Sequence, residues 1–256
     1  VSGGLPGALA SEWTKAWSVR STWWGLLGGA VLMVAASAQM SIYVTNANTN
    51  DDPSDDKGVV GAGMTAVQAM DLAQFAVIGL VMLLVTAEYA SGAIRSTLTW
   101  VPVRGTVVLA KTGAAAALGL VAGTALALLG SLAAAPMLGD WADLSAASWT
   151  RDVLAAGVYA ALIGVVALGA GFALRSTALT LTTVFLLLFV IPATLQSVGS
   201  DTASAVADYF PGVAGAAFMR GGDDAAYPPP AGLGVLALWA VAAVLAGYAV
   251  FRRRDA

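Results

Sequence analysis

WWGLLGGAVLMVAASAQMSIYV, residues Trp23–Val44, sits inside a window from Ser21 to Asn50 that carries no charged side chain. At 1.5 Å per residue such a helix rises about 33 Å, enough to cross a hydrocarbon core of roughly 30 Å. No basic segment precedes a short apolar core with a clear small-residue cleavage site, so the stretch reads as a retained span and not as a cleaved leader. Five more stretches are long and apolar enough: 69–87, which carries Asp71 near its start, 106–135, which carries Lys111, 153–174, 177–198 and 231–251. The fold expected is therefore an all-α membrane protein, one transmembrane domain over residues 1–256 with six spans.

The bulk composition agrees. Residues of the AVILMFWYC class make up 59% of the chain, charged residues 11%, and the mean hydropathy is +0.80. Soluble domains are nearer 45–50% apolar and about a quarter charged. With no Cys and no His, disulfides, thiolate nucleophiles, imidazole bases and the metal sites built from them are all excluded. No GxxxxGK[ST] motif occurs, so any ATP used must be held by another chain. No pair of intramembrane carboxylates offers an alternative mechanism, and the chain is not expected to be an enzyme by itself. No basic tract marks a nucleic-acid surface.

The basic residues set the expected orientation. With the N-terminus inside, Lys15, Arg20, Arg95, Arg104, Lys111, Arg175, Arg252, Arg253 and Arg254 fall on the cytoplasmic side, nine of the twelve. Only Lys57, Arg151 and Arg220 face outward. Of the acids, Glu12, Glu88 and Asp255 are inside and the other twelve lie outside or at the outer edge. Both termini are thus expected in the cytoplasm of a multi-pass plasma-membrane protein.

Four connecting segments carry further information. Residues 9–22 place Leu9, Trp13, Ala16, Trp17 and Arg20 at helical spacing. That is the pattern of an amphipathic helix in the headgroup layer, with Lys15 and Arg20 toward lipid phosphate. Between spans two and three, Pro102 limits a short helix at about Ser91–Trp100. The outer loop 46–68 opens with the acidic patch NANTNDDPSDD and reads as solvated. The outer segment 199–230 is apolar in two pieces divided by Pro211, which suggests two short interfacial or re-entrant helices; a plain exposed loop is the simpler reading.

Inside the spans no charge sits at mid-depth, and Asp71 is placed near the outer end of the second. Gln39, Gln74, Thr180, Thr182, Thr183 and Gln196 are uncharged candidates for a pathway surface. Their simpler role is helix–helix hydrogen bonding, about 0.6 kcal/mol on average. Glycines such as Gly28, Gly119, Gly123 and Gly169 need only close packing to explain them.

Two stretches carry a family resemblance: SEWTKAWSVRSTWW (Ser11–Trp24) and EYASGAIRSTLTWVPVRGTVVLAK (Glu88–Lys111). Together with six spans and a long outer connection, they resemble the transmembrane subunit of type-2 ABC exporters, actinobacterial permeases above all. Glu88, Gly92, Leu98, Pro102, Arg104 and Lys111 match the family's pattern; Ala93 departs from it, where many relatives have Thr. The resemblance implies that the N-terminal segment is an elbow helix, with Trp13, Lys15, Trp17 and Arg20 at the membrane surface. It implies that residues 88–103 form a coupling helix docking on a cytoplasmic ATPase through Glu88, Tyr89, Gly92, Ile94, Arg95, Leu98, Pro102 and Arg104. Two ATPase copies would hold the ATP and Mg, and this chain would bind no cofactor. A second permease, copy or paralogue, would complete a route lined by spans one, two and five, where Gln39, Gln74, Thr182 and Gln196 lie. The activity implied is export of an amphiphile (drug, natural product, peptide or lipid) by alternating access. A stand-alone channel or secondary carrier is the alternative, disfavoured by the lack of mid-depth charge.

Overall fold

A computed structural model describes residues 4–222 and 225–253. Arg254 and Asp255, expected on the cytoplasmic side, lie outside the described residues. The chain runs α1 (Leu5–Ser18), α2 (Arg20–Thr49), β1 (Val60–Gly61), α3 (Ala62–Ser91), α4 (Ala93–Trp100), α5 (Arg104–Leu138), β2 (Ala142–Asp143) and α6 (Ala146–Leu174). It continues through α7 (Thr177–Phe185), a π turn (Leu186–Val190), α8 (Ile191–Ser197), α9 (Asp201–Asp208), α10 (Pro211–Arg220) and α11 (Pro229–Arg253). Six of these segments are long and apolar enough to cross a membrane: α2, α3, α5, α6, the α7–α8 unit and α11.

Burial grades the six. The apolar windows of α3 and α6 are 61% and 67% buried, those of α7–α8 and α11 only 22% and 17%. The first two are therefore the core of the bundle, α5 is half-buried against them, and α2 (28%), α7–α8 and α11 present apolar flanks outward. Close approach of α5 to α6 depends on small residues. A Cβ at Gly123 would lie 2.3 Å from Ala160 Cβ, and one at Gly119 2.7 Å from the Ala160 carbonyl oxygen. Gly28, by contrast, faces open space.

The second span begins earlier than its hydropathy suggests. Residues 62–68, read as loop, are the first two turns of α3, and α2 likewise continues through Asn46–Thr49 of the acidic patch. Asp71 accordingly lies nine residues into α3, about 13 Å from its start, with its side chain 45% exposed. The remaining linker meets the α5–α6 connection in a two-residue parallel bridge, Val60 with Ala142 and Gly61 with Asp143. Those two connections thus share one end of the bundle.

In the fifth span, Pro192 lacks an N–H and its ring crowds the carbonyl four residues back, that of Leu188. The π turn just ahead of it accommodates the defect. The freed Leu188 carbonyl is approached by α10 at Gly212, where a Cβ would come within 2.3 Å of the oxygen. The 199–230 segment does hold two short helices, α9 and α10. Helix α10 packs on α11 and α6.

Candidate functional site

At the end of the bundle opposite the β1–β2 bridge, four charged side chains close into a ring. Lys111 Nζ lies 2.7 Å from Glu12 Oε2 and 2.8 Å from Glu88 Oε1. Lys15 Nζ lies 2.8 Å from Glu12 Oε1 and 3.0 Å from the same Glu88 oxygen. The Lys111 side chain has no solvent exposure, and its third N–H donates to the Leu84 carbonyl at 2.7 Å. Every donor of a buried ammonium is therefore satisfied, and the ring carries no net charge, the two conditions under which burial of such ions is tolerable. Glu88 Oε2 also accepts from Thr97 Oγ1 of α4 at 3.2 Å. Burial pulls the Lys15 pKa down, but the carboxylates of Glu12 and Glu88 more than offset this and hold it above the ordinary lysine value.

The local sequence explains the geometry. Glu12 and Lys15 are three apart on α1 and share a face. Glu88 sits in the last turn of α3, and Lys111 lies seven residues into α5, about 10 Å from its start. Three helices far apart in sequence thus meet at one cluster, and α4 is the loop that joins two of them. Gly92 ends α3 and starts α4 at φ 74°, with nothing within 4 Å of where a Cβ would stand. Its backbone angle, not lack of space, calls for glycine there.

The other expected coupling residues divide by direction. Ile94 is 2% exposed and Leu98 half-buried, both packed on this chain's own core. Their apolar surface is already used and is not open to a partner, because the α4 stripe that looked available from sequence folds back onto the ends of α3 and α5. Trp100 is 85% exposed, and Arg95 and Pro102 are also on the outer surface. Tyr89 lies under the Arg175 guanidinium, 4.9 Å from ring centroid to Cζ. Arg104 donates to the carbonyls of Phe251 (2.6 Å) and Arg252 (3.2 Å), capping the last turn of α11. It serves the chain's own C-terminal helix.

On α1, Trp13 and Trp17 stack edge-on at 5.6 Å, and Trp17 meets Trp23 of α2 at 5.4 Å. Arg20 is exposed, whereas Lys15 turns to the ring and not simply to lipid phosphate. Among the pathway candidates, Gln74 is buried: it accepts from Tyr159 OH at 2.5 Å and donates to the Asp71 carbonyl at 2.8 Å. The bond from Tyr159 joins α6 to α3. Gln39 is exposed on α2. Thr182 lines a 460 Å³ cleft with Phe75, Gly79, Met82 and Phe185. Gln196 lines a 310 Å³ cleft beside Asp71, Gln74 and Arg220. The first lies between α3 and the fifth span; the second is walled in addition by α10 and by Tyr159 of α6.

Sequence reading missed two pairings. Glu12 and Lys111 looked like solvated inner-side charges; the position of Lys111 inside the 106–135 span was the available signal. Asp71 pairs with Arg220 at 2.5 Å, tying α10 to α3. Among the described residues no group of His, Cys, Asp or Glu could hold a metal. Comparison of the chain with protein-family models and with characterised proteins returns no match.

Proposed function

We propose that this chain is the membrane subunit of an ATP-driven exporter, receiving force from a separate cytoplasmic ATPase through α4. The observation that carries the reading is the mounting of α4. Its two roots, the end of α3 and the start of α5, are clamped to α1 by the ionic ring, and at its far end Trp100 is 85% exposed at the mouth of the cleft between α4 and α1. A displacement of α4 then moves three helices together instead of being absorbed in a flexible loop. Substrate would pass beside the fifth span, where the two clefts against α3 combine aromatic and apolar walls with Thr182 and Gln196, surfaces suited to an amphiphile. The resemblance carried by Ser11–Trp24 and Glu88–Lys111 supports the same reading, as does the weighting of basic residues to the α4 end. A second permease would pack on the outward apolar flanks.

The test is purification of the tagged full chain from its native membrane in mild detergent, with assay of ATP hydrolysis in the eluate. The expected result is co-purification of a P-loop ATPase. Exposed interface Trp residues often act as anchors worth about 2 kcal/mol or more, so Trp100→Asp should weaken capture by roughly thirtyfold with expression unchanged. A chain that purifies alone and moves substrate down an ion gradient would replace the proposal with the carrier alternative.

A further inference from the structure

A cavity of about 620 Å³ opens beside the ionic ring, walled by α1, the start of α2, the last turns of α3, and α4. Its volume is that of a small-molecule site, and its two ends differ in chemistry. Along α3 the lining runs Leu80, Leu83, Leu84, Ala87, Glu88, one helical face spanning about 12 Å of axial rise. At its deep end, at Leu80, α2 touches α3: a Cβ at Gly25 would lie 2.8 Å from Leu80 Cδ2. The deep part is therefore an apolar slot between two spans. The rim is rich in donors. It bears Lys15, whose ammonium uses two of its three N–H groups on Glu12 and Glu88, and hydroxyls from α2 and α4, among them Ser21, Thr22 and Ser96.

We propose that this cavity binds one phospholipid of the leaflet on the α1 side, its acyl chain in the slot and its phosphate and ester oxygens at the rim. The phosphate and ester oxygens of a phospholipid are acceptors, matching hydroxyl and ammonium donors. The slot reaches a depth between spans that a water-borne protein segment does not. The ring beside it is already neutral, so the head meets no uncompensated carboxylate. Because α1, α3 and α4 both wall the cavity and meet at the ring, the lipid fills the space between α4 and the elbow segment α1. The site itself does not depend on the exporter reading.

The experiment uses the full chain in vesicles of phosphatidylglycerol and phosphatidylethanolamine, doped with a phosphatidylglycerol probe bearing a photoreactive group in its acyl chain. Cross-linked peptides are mapped by mass spectrometry. Expected is preferential labelling of the 80–87 and 19–25 segments. It should fall about tenfold, an affinity step of one decade, in Ala87→Trp and in Ser96→Trp, which fill the cleft from opposite walls at exposed positions. Ala90→Trp, exposed on α3 but outside the cleft, should label like the parent. Inorganic phosphate at millimolar concentration should not compete; competition would mean an anion site and overturn the lipid assignment. Labelling spread evenly over all outward apolar faces, unchanged in both filling variants, would overturn the site altogether. Neither readout involves an ATPase or transport, so failure here and failure of the exporter reading are distinguishable.

Discussion

Replacing Lys111 by Met should destabilise the fold more than any other single change at the ring. The side chain keeps its length and apolar stem but loses three hydrogen bonds: to Glu12, to Glu88 and to the Leu84 carbonyl. Glu12 is 5% exposed and Glu88 13%, so two carboxylates are left sharing Lys15 alone. Removing one partner of a buried ion pair typically costs about 3–5 kcal/mol, because the remaining charge stays desolvated. For a chain of this size each kcal/mol lowers Tm by about 2–4 °C, giving an expected loss of roughly 6–20 °C in detergent. Lys15→Met provides the contrast. Its side chain is 47% exposed, and pairs of that kind contribute at most about 1 kcal/mol, a shift of no more than ~4 °C. Adding Glu88→Gln to Lys111→Met leaves Glu12 with Lys15, a neutral pair, and should recover part of the loss. Fluorescence-detected size-exclusion melting of the four proteins measures all of this. Equal melting of Lys111→Met and the parent, or equal losses for the two lysines, would refute the buried-ring account.

Particular contacts give three further expected outcomes. Gly92→Ala puts a side chain at φ 74° and should cost about 1–2 kcal/mol, with Gly92→Asn milder because Asn tolerates that region; equal melting of both with the parent would show that the turn is not held there. Gly123→Ala must push α5 from α6, whereas Gly28→Ala meets nothing, so only the first should melt early, and the reverse order would contradict the helix packing. The chain has no native Cys, so Val60→Cys with Ala142→Cys forms the one disulfide available, and it should oxidise readily if the two connections share an end; persistent free thiols would argue against the bridge.

Solvent alone dictates the part of the molecule that is legible in sequence. Backbone polar groups in lipid must be satisfied within the segment, so a 20-residue apolar run becomes a helix wherever it sits. That is why six spans could be read from residues; the short helix before Pro102 and the two divided by Pro211 were marked by proline, which bounds a helix. The ends of α3 could not, because Ala62–Gln68 is mixed in character and is made helical by packing against α6. Nor could the inward turn of Ile94: periodicity shows that α4 has an apolar face, while only its neighbours decide whether that face meets this chain or another. The ring was least legible of all. Glu12, Lys15, Glu88 and Lys111 are each unremarkable beside a membrane, and a charge counted on the basic side of a bilayer reads as solvated. Their meaning lies in a convergence of α1, α3 and α5 that pairs residues 99 and 23 positions apart. Whether a charge is hydrated or buried depends on its nearest neighbours in space, and only the tertiary structure decides those.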